Sequence, residues 1–84
     1  INMSYQAYST SPSDRYEAVT PSDTVDFDKA CRALRIGVAG DVVAVTTAGV
    51  AITFTGVLAG EILPIVAKRV NSTLTTATNI VALL

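Results

Sequence analysis

Val42-Val-Ala-Val-Thr-Thr-Ala-Gly-Val-Ala-Ile-Thr-Phe-Thr-Gly-Val-Leu-Ala-Gly60 decides how this chain is read, because nineteen consecutive residues carry no charge. That is about the length of a membrane-spanning helix. The texture of the stretch argues against one. It contains four Thr and three Gly, and from Val50 to Phe54 the apolar Val50, Ile52 and Phe54 alternate with Ala51 and Thr53. Alternation with a period of two belongs to a half-buried strand, since successive side chains point to opposite faces. Thr47-Ala48-Gly49-Val50 sits between two such runs, as a tight hairpin does, with Gly49 free to adopt positive φ. The stretch therefore predicts two antiparallel strands and no membrane segment.

The same texture continues outward. Val, Ile and Thr make up twenty-eight of the 84 residues and concentrate after Arg35, the composition expected of strands. We expect strands at Ala33–Val38, Val42–Thr47, Val50–Thr55, Ile62–Val70 and Asn79–Leu84, separated by connections too short for parallel crossovers. The expected fold is all-β: a small antiparallel β-sandwich or barrel of about five to seven strands with an extended N-terminal arm. Gly37-Val38-Ala39-Gly40-Asp41 fits neither phosphate-loop nor dinucleotide patterns and is expected to be a turn. Between Phe27 and Leu34 the local signal is divided. Phe27, Ala30, Cys31 and Leu34 fall at helical spacing, so a short helix and a strand both fit.

Upstream the composition changes. Residues 1–18 are dominated by Ser, Thr, Asn, Gln and Asp, and they contain Tyr5, Tyr8 and Tyr16, all of the tyrosine. Tyrosine favours sites with one end buried and the other wet. We read 1–18 as an extended arm that docks on a neighbouring subunit, with a solvated tail as the alternative, and 19–84 as the β-domain. Thr20-Pro21-Ser22-Asp23 marks the break.

Charge and residue absences narrow the function. Charged residues are 15% of the chain, apolar residues 50%, the net charge is −1 and mean hydropathy is +0.48. So short a chain has proportionally more surface to solvate. The apolar excess therefore predicts that part of its surface is covered by other copies or another protein. Ile62–Val70 supports this, because Ile62, Pro64 and Val66 lie on one face and Leu63, Ile65 and Ala67 on the other. Ile80-Val81-Ala82-Leu83-Leu84 is similarly apolar on both sides. Tyr5, Tyr8, Tyr16, Leu63, Ile65, Val81 and Leu83 are accordingly the candidate contacts with other copies or another protein.

No chemistry emerges from the rest. The chain has no His, which removes His-dependent nucleophiles and the common zinc sites. Its single Cys31 excludes an internal disulfide and reads as a small buried side chain. Asp23, Asp26 and Asp28 lack the Gly and the distal Glu of a calcium loop, so they read as turn or cap acids. Asp23 and Asp26 are expected to form a structural salt-bridge corner with Arg32 and Arg35. No catalytic, cofactor-binding or metal residues are assigned, and no basic stripe points to nucleic acid.

The ordered words of the sequence point to a family. Thr20-Pro21-Ser22-Asp23, Cys31-Arg32-Ala33-Leu34, Ile36-Gly37-Val38-Ala39-Gly40-Asp41-Val42, Ile62-Leu63-Pro64, Lys68-Arg69-Val70 and Thr75-Thr76-Ala77-Thr78-Asn79-Ile80-Val81-Ala82-Leu83 occur in that order. Together they resemble the small head spike base proteins of tailed phages and gene transfer agent particles. The resemblance covers about Val19 to Leu84. It departs at Leu74, where Gly is expected in the loop before Thr75. It implies a non-enzymatic virion protein on the outer surface of the capsid, assembling as a homo-oligomeric ring at vertices. A pentamer is favoured and a trimer is the alternative. The implied partners are the major capsid protein and a spike or fibre protein. The competing function is a decoration or cement protein that clamps neighbouring capsomers.

Overall fold

A computed structural model describes residues 15–84 of the chain. Among these residues there is no helix, and seven strands form two antiparallel sheets. The strands are β1 (Tyr16–Ala18), β2 (Ala33–Arg35), β3 (Gly40–Val45), β4 (Ala51–Val57), β5 (Ile62–Leu63), β6 (Arg69–Val70) and β7 (Val81–Leu83). One sheet has the order β1-β7-β2-β5 and the other β4-β3-β6. The all-β expectation is met, and no helix long and apolar enough to cross a membrane occurs among the described residues.

The hairpin read from the uncharged stretch is present. Val42 pairs with Phe54, Val43 with Thr53, Ala44 with Ile52 and Val45 with Ala51. Its turn is closed by the Thr46 N–H donating to the Val50 carbonyl at 2.8 Å and the Gly49 N–H to the Thr46 carbonyl at 2.9 Å. Gly49 has φ +93°, a conformation that costs an L side chain roughly 1–2 kcal/mol and glycine almost nothing.

Three expectations change. The long strand over Ile62–Val70 is two short ones, β5 and β6, which lie in different sheets. Pro64 explains the break, because it has no N–H to continue a ladder, and the chain crosses between layers at residues 64–68. Phe27 to Leu34 is neither a helix nor a full strand. It crosses the sandwich irregularly, with the Phe27 N–H on the Lys68 carbonyl at 2.7 Å and the Cys31 N–H on the Ala67 carbonyl at 2.9 Å. Cys31 and Leu34 are buried and Phe27 packs against the core, so the apolar spacing reflects burial without helical geometry. Gly37 to Asp41 is likewise no turn. It carries the chain from β2 to β3 in an extended path, bridging Val38 to Thr78. A Cβ on Gly40 would stand 2.5 Å from the Ala77 nitrogen, which is why the two backbones can approach there only with glycine.

The core lies between the sheets. Leu34, Ala82 and Leu63 from the four-stranded sheet face Val42, Ala44 and Val70 from the other, and all are buried. Residues 16–18, the end of the expected arm, form β1 and pair with β7 through Tyr16–Leu83, Glu17–Ala82 and Ala18–Val81.

Candidate functional site

The registers assign each face of the four-stranded sheet. Glu17, Ala82, Leu34 and Leu63 form one row across β1, β7, β2 and β5, and the last three of them are buried in the core. The neighbouring rows point outward. Tyr16, Leu83 and Ala33 make one, and Ala18, Val81, Arg35 and Ile62 the other. Tyr16 is 66% exposed and Ile62 53%, while Val81 and Leu83 are half-buried. This outer face is almost wholly apolar, with Arg35 its one charged member.

Among the contacts expected from sequence, Tyr16, Val81 and Leu83 thus share one outer face. Leu63 lies in the domain's own core, because β5 turns that side chain inward and leaves Ile62 outside. Ile65 is half-buried against the core, with Val66 exposed beside it. Alternation within a two-sided apolar segment is visible in the sequence, but which side faces in is fixed only by pairing with β2. Tyr5 and Tyr8 lie outside the described residues.

A second apolar surface lies on the β3–β4 hairpin. There a cavity of about 260 Å³ is lined by Ala44, Ile52, Phe54, Ile65, Val66 and Ala67, among others. It lies between the core-side face of the hairpin and the crossover at 65–67.

The acids occupy a polar corner. Asp26 accepts from the Arg69 guanidinium at 2.9 Å and lies 3.8 Å from the Lys68 ammonium. Asp23 accepts from the hydroxyl and N–H of Thr73, and these bonds hold its carboxyl below the ordinary aspartate range. The acids expected to engage Arg32 and Arg35 thus engage groups more than forty residues away in the chain. Such partners carry no local sequence signal. Arg35 ends β2 on the outer face, and Arg32 lies just before that strand. Asp28, the third acid of the series, is exposed.

The single thiol of the chain is buried. Burial pushes the Cys31 thiol upward, and its sulfur lies 3.7 Å from the Ile65 carbonyl, as suits an inert core thiol. No cluster of metal-ligating side chains occurs among the described residues. The features that stand out are exposed apolar surfaces on a small sandwich, which define a small all-β module.

Comparison with known proteins adds identity to that class. No family model and no curated protein matches the chain. Among solved structures, a chain of one described as the capsid of a native GTA (gene transfer agent) particle computed with C5 symmetry superposes with a TM-score of 0.78. It is 43% identical over 86% of this chain and 83% of its own length. The chain belongs to the phage and gene transfer agent capsid-related proteins.

Proposed function

We propose that this chain is a non-enzymatic structural subunit of a phage-like or gene transfer agent particle. In this reading it forms the base of a capsid-attached spike or fibre on the outer surface and assembles as a pentameric ring at vertices. The observation that carries the proposal is the 43% identity, over most of both chains, to a chain of a gene transfer agent capsid structure. That solved particle was computed with C5 symmetry, which suits rings of five.

The surfaces fit the role. A ring is built from heterologous contacts, in which one patch of each copy meets a different patch of the next. The outer face around Tyr16, Val81, Leu83 and Ile62 and the hairpin surface around Ile52 and Val66 supply two such patches. The segment ahead of β1, with Tyr5 and Tyr8, acts as the arm that ties copies to one another or to the major capsid protein, while Tyr16 belongs to the outer face.

Native mass spectrometry of the purified full chain, followed by its addition to particles lacking it, tests this reading. A pentamer that rebinds particles supports it. A monomer that does not rebind overturns it, and a trimer replaces it with the cement reading at threefold sites.

A further inference from the structure

A sandwich of two sheets has four margins, and this one treats them differently. Along β6 the margin is closed by residues 22–27, with the Ser22 N–H on the Val70 carbonyl at 2.9 Å and the Phe27 N–H on the Lys68 carbonyl at 2.7 Å. β5 is two residues long and ends at Pro64, and β1 is three residues long with Glu17 at its centre. β4 differs from all of them. It runs for seven residues, from Ala51 to Val57, without a charge or a proline.

The backbone polarity of that edge follows from its neighbours. The Val43 and Val45 carbonyls accept from the Asn71 and Lys68 amides at 2.9 Å each, which turns Val43 and Val45 away from β4. Successive residues alternate sides, so Val42 and Ala44 bond to Phe54 and Ile52 across the hairpin. The N–H and C=O groups of Ala51 and Thr53 then face outward, and no described residue covers them. Native domains usually blunt such an edge with charge, proline or a covering segment, because an open one is a template for another strand.

The apolar cavity lies beside this edge. Ile52 and Phe54 of β4 form one wall and Ile65 and Val66 the other, with Ile52 49% and Val66 59% exposed. A strand added outside β4 would lie about 4.8 Å away and send alternate side chains to the cavity side. At about 260 Å³ the cavity is smaller than most small-molecule sites and suits a side chain.

We propose that the β4 edge receives the N-terminal segment of a second copy of this chain, residues 1–13, as an added strand. The inference rests on the self-assembly reading above. Its occupant is chosen on three grounds. Ile1 to Ser13 carries no charged side chain, so pairing with an uncharged edge strands no ion. Extended, it spans about 43 Å at roughly 3.3 Å per residue, enough to cross between copies from β1, where it joins the domain. Its tyrosines combine an apolar ring for the cavity with a hydroxyl for the rim, and Pro12 stops the pairing before the segment returns to β1. Passing the segment head to tail closes each subunit's open margin with its neighbour's chain, which is a heterologous contact.

Hydrogen exchange on the full chain tests this. In the assembled state the Ala51 and Thr53 amides are expected to exchange on the order of a hundredfold more slowly than in the diluted monomer, while Ile52 and Phe54 are protected in both. Thr53→Pro removes an outward N–H without touching the bonds to β3. It is expected to abolish assembly and the Ala51 protection while far-UV circular dichroism stays unchanged, with Thr53→Val as the control that assembles. Mixing Thr53→Cys chains with chains carrying a cysteine scanned through residues 3–10, both in a Cys31→Ser background, is expected to give an interchain disulfide. A pentamer in which Thr53 exchanges freely overturns the inference and leaves the ring intact. Protection that persists in the monomer, or protection without any cross-link from the segment, overturns the choice of occupant. A chain monomeric at every concentration overturns the ring reading and this inference together.

Discussion

The two margins of the three-stranded sheet are opposites. On the β6 side, β3 is flanked along its length. Asn71 and Lys68 bond its carbonyls, the Thr75 hydroxyl accepts from the Val43 N–H at 3.0 Å, and the Thr76 hydroxyl from the Asp41 N–H at 2.8 Å. Asp26 and Asp23 then tie residues 22–27 and 71–73 to the same region. On the β4 side no described residue follows, although β4 is as apolar in sequence as β3. Val42, Val43, Ala44 and Val45 are all buried, while Ala51 and Ile52, paired directly to two of them, are exposed. Equal hydrophobicity does not give equal burial in a chain this short. Position in the sheet order decides it, and a β-module with one margin sealed and one left apolar is suited to assembly.

The sharpest way to break this comparison is to place the same charge on both sides. Val45→Asp puts an unpaired carboxylate at a position with no exposure. An uncompensated buried charge costs about 3–5 kcal/mol, comparable to the whole stability of a domain this size, roughly 5 kcal/mol. The variant is expected to be unfolded by circular dichroism. Ile52→Asp, across from Ala44, is expected to change stability by about 0.5 kcal/mol or less and to remove assembly in native mass spectrometry. Unfolding of Ile52→Asp would show that the cavity-side surface of β4 serves the monomer's own fold.

The hairpin was the most legible part of the molecule, because Val50, Ile52 and Phe54 alternate and Gly49 marks the turn. Both signals are local. The split of Ile62–Val70 was half legible: Pro64 forbids a continuous inner strand, but only long-range pairing sends β5 to one sheet and β6 to the other. β1 was not legible, since Tyr16-Glu17-Ala18 is too short to show a period and becomes a strand only through β7. The partners that Asp23 and Asp26 take in the polar corner were hidden for the same reason. Asp26 has Arg32 close in sequence and Arg69 close in space. Of the candidate contacts, Tyr16, Val81 and Leu83 lie on the outer face of the four-stranded sheet, whereas Leu63 lies in the core and Ile62 stands outside.

Leu74 offers a smaller test, on the sealed side. It sits in the loop before Thr75 with φ +71° and is 73% exposed, so a left-handed conformation is held by a side chain that packs on little. The departure from Gly noted in the sequence thus falls at a strained position. Relief of about 1–2 kcal/mol is partly offset by the greater unfolded-state freedom of glycine, about 0.5–1 kcal/mol. Leu74→Gly is expected to stabilise by about 0.5–1 kcal/mol in denaturant titrations at unchanged oligomeric state. A loss of stability would mean that Leu74 contributes packing to the sealed margin.

The smallest effect separates the two margins by pH. Asp23 accepts from the Thr73 hydroxyl and N–H, which favours the ionised carboxylate and lowers its pKa in the folded chain. A carboxyl whose folded pKa lies below its unfolded value, about 3.9, contributes stability that is fully present above that value. The contribution is lost as pH falls through the folded pKa. Acidification below about pH 4 is therefore expected to loosen residues 71–73 first, seen as faster exchange of the Thr73 amide, and Asp23→Asn is expected to flatten that response. β4 contains no titratable group, so exchange at Ile52 should not share this local transition. If the Thr73 and Ile52 amides open together on acidification, the two margins belong to one cooperative unit, and the contrast between them concerns assembly alone.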